Sequence, residues 1–159
     1  VYKPRHIQRA VRSLFNNQKD VYHHLLRLLP LKGNFLHLGC GYGVLDFLLV
    51  YDSPERRVIA WDVDEHKVLA TQHTYTVNRY PLRFVNELPP LSGHDILIIS
   101  EPASVHWVEY AHSAAWIVTE NAGSETHELL TTQGFQRLSD ETDMFVYHRR
   151  GNHSVPPSK

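Results

Sequence analysis

The chain is poor in cysteine. Cys40 is the only one, so no internal disulfide can form, and a reducing setting is expected: the cytoplasm, or the cytoplasmic face of a membrane if the parent is a membrane protein. It has no excess of charge. Sixteen basic and seventeen acidic side chains leave a net charge of −1 with the histidines neutral, which gives no footprint for a nucleic-acid partner, and none is expected. No apolar run is long enough to span a bilayer, and no signal-peptide pattern opens the chain. It opens on Val1 rather than methionine, as a domain taken from a longer polypeptide would, so other domains of such a parent are expected partners. Internal repeats and linkers are missing too, so the 159 residues, 42% of them apolar, are expected to form one core.

Histidine, by contrast, is abundant. The twelve are scattered: His23 and His24 adjoin, and His106 and His112 lie six apart. No pair has the helical spacing of a zinc-protease motif and no second cysteine is available, so no metal site is expected and the histidines are read as surface residues.

Val11, Leu14, Phe15, Tyr22, Leu25, Leu26 and Leu29 recur at helical spacing, which predicts an N-terminal segment over 1–30 of one or two amphipathic helices ending at Pro30. From 31 to 150 apolar strands alternate with helices. The strands are "NFLHL", "RVIAWD" (57–62), "LRFV" (82–85), "DILIIS" (95–100) and "AWIVTE" (115–120). The helices are 44–50, a stretch after the N-cap Asp64, roughly 103–112, and one capped by Ser124 and ended by Gly134. "FQRLS" and "MFVYHRR" read as a closing hairpin, and 151–159 as a disordered tail. Nearly continuous apolar strands separated by helices predict a doubly wound α/β fold, a mostly parallel seven-stranded sheet with a C-terminal antiparallel hairpin and helices on both faces.

The stretch "FLHLGCGYGVLDFLL" (35–49) places Gly39, Gly41 and Gly43 between the first strand and the next helix. In such a sheet ligands bind beyond the carboxyl ends of the strands, and glycine lets a ligand approach the main chain. The helix opening at Val44 adds free N–H groups. Asp62, ending the second strand, is placed to accept hydrogen bonds from both hydroxyls of a ribose. A dinucleotide fingerprint needs its third glycine at the slot occupied by Val44, so the spacing disfavours a nicotinamide or flavin dinucleotide.

"FLHLGCGYGVLDFLL" followed by "VIAWDVDEHKV" resembles motifs one and two of the class I S-adenosylmethionine-dependent methyltransferases, over about residues 28–100. The longer stretch "LLRLLPLKGNFLHLGCGYGVLDFLL" is also similar to methyltransferase domains appended to bacterial proteins of lipid or pigment metabolism. The resemblance implies S-adenosylmethionine as cofactor, with Gly39, Gly41 and Gly43 facing its methionine and ribose portions. It gives Cys40 and Tyr42 backbone roles in the same turn, sets Asp62 on the ribose and Val63 beside the adenine, and places Asn86 or Glu87 near the adenine amine. Ser100 and Glu101 then lie where the methyl group meets a small or lipid-linked acceptor.

Two departures from the family stand out. His37 occupies the position where the family usually carries Asp or Glu for the cofactor's ammonium. A charge-assisted bond is worth roughly 1.5–3 kcal/mol against about 1 for a neutral one. A cofactor site of this kind is therefore expected to bind about tenfold more weakly, unless His37 is simply a strand residue with satisfied ring nitrogens. The second departure is brevity: "VNELPPLSGHD" leaves no room for a lid.

If the acceptor must lose a proton, Glu101 is the first candidate base, followed by His106 and Tyr110, which a helix sets four apart on one face. "SEP" at 100–102 is not the Asn/Asp-Pro-Pro-Tyr tetrad of amino-methylating enzymes. Arg5, Arg9 and Arg12 are read as a solvated helix stripe, and Trp107 and Trp116 as core more readily than as an acceptor pocket. The leading expectation is a methyltransferase. Its rivals are a non-catalytic docking module, favoured by His37 and the missing lid, and a nicotinamide-dependent oxidoreductase.

Overall fold

The central strands of this chain are apolar on both sides, and a sheet built around them must be covered on both. The computed structural model describes residues 4–74, 80–100, 106–120 and 123–150. The order is α1 (Pro4–Leu28), β1 (Gly33–Leu38), α2 (Val44–Asp52), β2 (Arg56–Trp61), α3 (Glu65–Thr74), β3 (Leu82–Val85), β4 (Ile96–Ile99), α4 (Val108–Ala111), β5 (Trp116–Glu120), α5 (Ser124–Thr132), β6 (Phe135–Ser139) and β7 (Met144–Arg149). The sheet runs β3-β2-β1-β4-β5-β7-β6. The β1 pairings to β2 and β4 are parallel, and β7 runs antiparallel to both its neighbours. This is the doubly wound, mostly parallel seven-stranded sheet with a C-terminal antiparallel hairpin that the sequence predicts. Strand order reverses between β1 and β4, which opens a crevice at their carboxyl ends.

Side chains alternate across the sheet. Phe35, Val58, Ile96 and Ile98 face one layer, where Leu25 and Leu29 near the end of α1 pack with Leu45 and Leu49 of α2 and Val68 of α3. Leu36, Leu38, Leu97 and Ile99 face the other, where they meet Trp107, Tyr110, Leu130 and Phe135. His37 falls in register with Ala60 and Ile98, on the α1–α2 side.

Several boundaries are refined. The N-terminal segment is a single helix, not two, because no breaker precedes Pro30. Asp64 does cap α3, its Oδ1 accepting from the N–H groups of His66 and Lys67. The cap position of α5 is Gly123, at φ 88, and Ser124 is the first helical residue. Trp107 is buried in the second layer, and Trp116 packs its ring on His148 at 4.4 Å. Arg9 and Arg12 are exposed on α1. Residues 75–79, the proposed helix start at 103, and the tail 151–159 lie outside the described residues.

The amino-terminal edge of β2 carries a buried charge that the sequence did not announce. Arg56 is 0% exposed and uses all five guanidinium donors. Nε donates to Pro30 O, one terminal nitrogen to Leu49 O and Asp52 Oδ2, and the other to Leu26 O and Leu29 O. Leu26 O, Leu29 O and Pro30 O lie where α1 ends, and Leu49 O, which also accepts from Ser53 N–H, lies in the last turn of α2, so one side chain ties the ends of α1 and α2 together.

Candidate cofactor crevice

The glycine turn has two kinds of glycine. Gly39, Gly41 and Gly43 all sit at positive φ, 86°, 58° and 71°. A Cβ on Gly43 would lie 2.4 Å from Phe84 Cε1 and 2.9 Å from Thr71 Cγ2, so this glycine serves packing between α2, α3 and β3 rather than a ligand. A Cβ on Gly41 would meet nothing within 4 Å. Only Gly41, of these two, presents open main chain. The expectation that all three face a ligand is corrected for Gly43.

Asp62 is 2% exposed and braces the same turn. Gly41 N–H donates to its Oδ2 at 2.8 Å, and Asp64 N–H to its Oδ1 at 2.9 Å. Each carboxylate oxygen retains capacity for a second donor. Val63 is exposed beside it. Asn86 is committed differently from expectation: its amide nitrogen donates to Asp62 O and Val63 O, stitching β3 to the loop after β2. Asn86 and Glu87 line a separate groove of about 760 Å³ along the outer edge of β3.

The crevice itself has a volume of about 750 Å³. Its floor is the turn from Gly39 through Tyr42, with the Cys40 side chain buried there and Lys67 Nζ over the Tyr42 ring at 5.6 Å. His37 and Ser100 form the inner wall, and Glu120, Asp143 and Met144 close the far side. Ser13, Gln18 and Tyr22 of α1 also line it, so α1 borders the crevice that the short β3–β4 connection does not reach.

His37 is not an isolated strand residue. Its Nδ1 lies 2.8 and 3.0 Å from the two carboxylate oxygens of Asp46, in the first turn of α2, and its Nε2 lies 2.6 Å from Ser100 Oγ at the end of β4. His37 is 3% exposed and Asp46 0%. The strand alternation that turns His37 toward α2 makes this meeting possible. The Tyr22 hydroxyl is pushed up to about 12, first by burial and then by the Asp46 charge. Both ring nitrogens of His37 are thus satisfied, as the alternative reading of a strand residue expects, and the Asp46 carboxylate stands directly behind the ring.

Of the three candidate bases, Glu101 lies outside the described residues. His106 is exposed and precedes α4, so it does not share a helical face with Tyr110. Tyr110 is 3% exposed in the layer opposite α1, where its hydroxyl donates to Pro89 O at 2.8 Å. Burial, and after it the charge of Glu109, pushes that hydroxyl upward. Its assignment as a base gives way to that of a packing residue that anchors the β3–β4 connection. The residues missed were Asp46, Tyr22 and Lys67. A signal for Asp46 was present: it is an acid inside the apolar run "GVLDFLLV", where an amphipathic pattern has no place for it.

Comparison with known proteins agrees with this fold. Residues 21–88 match the methyltransferase small domain. Ribosomal RNA small subunit methyltransferase C of Yersinia pestis is 29% identical over 100 residues, which cover 62% of this chain; the chain spans 29% of that relative's length. Magnesium protoporphyrin IX methyltransferase from Synechocystis, solved with bound S-adenosylmethionine, superposes with a TM-score of 0.70 at 17% identity, covering 94% of this chain and 86% of that one. An S-adenosylmethionine-dependent O-methyltransferase from Thermotoga maritima gives 0.65 at 12% identity, over 86% of this chain and 67% of its own. Residues 21–88 thus carry the pattern of the methyltransferase small domain, and the chain as a whole has the Rossmann-like fold of S-adenosylmethionine-dependent methyltransferases.

Proposed function

We propose that this chain binds S-adenosylmethionine in the crevice over Gly41 and transfers its methyl group to a small acceptor, free or lipid-linked, held under α1. The observation that carries the reading is the open main chain at Gly41, at the strand-order reversal, braced by Asp62. The residues present fit the cofactor. Gly41 offers a cradle that a side chain would fill, Asp62 has lone pairs left for ribose hydroxyls, and the crevice volume lies in the range of small-molecule sites, roughly 300–1,000 Å³.

Bound S-adenosylmethionine supplies an electrophilic methyl group on a sulfonium. The chain's own part is to position: the turn from Gly39 to Tyr42 fixes one partner, and Ser13, Gln18 and Tyr22 hold the other close and exclude water. The docking-module alternative drew on His37 and the missing lid; the lining that α1 gives the crevice supports the enzyme reading against it. Val44, buried in the slot of a third dinucleotide glycine, disfavours a nicotinamide.

A ribosomal RNA acceptor is the second reading, favoured by the similarity to the Yersinia enzyme and opposed by the net charge of −1. Calorimetric titration with S-adenosylmethionine and S-adenosylhomocysteine tests the first step. Gly41→Ala should fold and lose binding, since its new methyl enters open space. Equal binding by wild type and variant would place the cofactor elsewhere. Methyl incorporation into ribosomal RNA but not into small-molecule extracts would decide for the second acceptor class.

A further inference from the structure

Asp46, His37 and Ser100 form a chain of hydrogen bonds whose direction is set by the tautomer of the ring. Nδ1 of His37 sits within bonding distance of both Asp46 oxygens, as one N–H shared over a carboxylate does; a protonated carboxyl would donate from one oxygen only. A ring with its single proton on Nδ1 has a bare Nε2, which can only accept. With the ring neutral, Ser100, 2.6 Å away, directs its O–H at the ring. What remains of Ser100 Oγ toward the crevice is lone pairs, backed through the imidazole by a fully buried carboxylate. Such an oxygen selects a donor. Glu120 and Asp143 on the crevice wall, set against Lys67, favour a cationic one.

We propose that Asp46, His37 and Ser100 act as a one-way relay that anchors a primary ammonium group at Ser100 Oγ, and that this group is the α-ammonium of the cofactor's methionine portion. The inference rests on the cofactor reading above. It makes His37 a replacement for a direct carboxylate rather than a lesion: negative charge is retained, but displaced from β1 to α2 and delivered through two side chains. Ser100 is the contact; His37 and Asp46 are positioning residues.

Two measurements test this. Nitrogen-15 spectra of the histidine rings, with His37→Gln to identify the signal, should show protonated Nδ1 and bare Nε2; a protonated Nε2 in the free protein would reverse the relay and overturn the proposal. Calorimetry should then compare S-adenosylhomocysteine with 5′-methylthioadenosine, which lacks the amino-acid portion. Asp46→Asn and Ser100→Ala should each weaken the first ligand by roughly tenfold, as expected when a charge-assisted bond becomes a neutral one or is lost, and leave the second within about twofold. Ser100→Ala keeps the test available if the buried variant does not fold. Equal weakening of both ligands would reduce the relay to a structural role. Unchanged binding with slower methyl transfer would assign it to the acceptor's proton and overturn the ammonium assignment. Wild-type protein that binds neither ligand would sink the cofactor reading and the relay's ligand together.

Discussion

Two buried charges lie on the same face of the sheet, at its opposite ends, and they are treated in opposite ways. At the amino end Arg56 spends every donor it has, mostly on backbone carbonyls, and ends in nothing open. At the carboxyl end Asp46 is joined to His37 and onward to Ser100, and that chain of bonds ends at the crevice wall. Both arrangements satisfy the rule that a buried charge must be partnered. The difference is closure. A closed set fixes elements to one another, whereas an open set leaves one valence for a ligand.

The comparison breaks most severely at Arg56. Arg56→Met should leave helix-end carbonyls without donors and cost about 3–5 kcal/mol in chemical unfolding, while Arg56→Lys, with three donors in place of five, should fall between. A loss under about 1 kcal/mol for the methionine variant would mean that water replaces the guanidinium.

The next effect contrasts the two glycines. Gly43→Ala should cost about 2 kcal/mol or more, from left-handed strain and the clash with Phe84, and Phe84→Leu in the same chain should recover part of it. Gly41→Ala should cost only the strain, about 1–2 kcal/mol, in the same unfolding assay.

A third experiment moves the charge. His37→Asp alone sets two carboxylates face to face and should destabilise, whereas His37→Asp combined with Asp46→Asn restores one charge at the crevice. The coupling between the two substitutions should reach about 1–3 kcal/mol in a double-mutant cycle, and a value near zero would deny that they share a network.

The smallest effect lies in the second layer. Burial lowers the His94 pKa below its ordinary 6.5, outweighing the raising effects of its bond to Tyr110 O and of Asp95. A histidine whose folded value is depressed binds its proton more readily when unfolded. Its contribution is therefore intact above pH 6.5 and declines as the pH falls below that toward the folded value. His94→Gln should flatten this part of the stability profile; an unchanged slope would assign the acid sensitivity to other groups.

The layers and the glycine turn were legible because they are written in local pattern. Alternation along "FLHL" and "ILII" sets which residues face which helices, and the α3 cap needed only Asp64 before its helix. Gly43 was legible as a glycine but not in its purpose, since Phe84 lies forty-one positions away and is brought in by the order of the sheet. Arg56 left no trace because its partners are mostly carbonyls, which every residue has. Asp46 and His37 were both visible, yet their pairing required knowing that strand alternation turns the ring toward α2. Tyr110 misled for a related reason: helical spacing placed it beside His106, but α4 begins two residues later.

The clamp at Arg56 has a mechanical consequence for the crevice. It grips α1 near Leu26 and Leu29, whereas Ser13 meets the crevice thirteen residues earlier, about 20 Å along a helix rising 1.5 Å per residue. The helix is thus a beam fixed at one end and loaded partway along. A tilt of about 5° at the clamp moves Ser13 by roughly 2 Å, enough to break a hydrogen bond. Substitutions at the amino edge of β2 will therefore register as altered ligand affinity, at a site none of the substituted atoms touches.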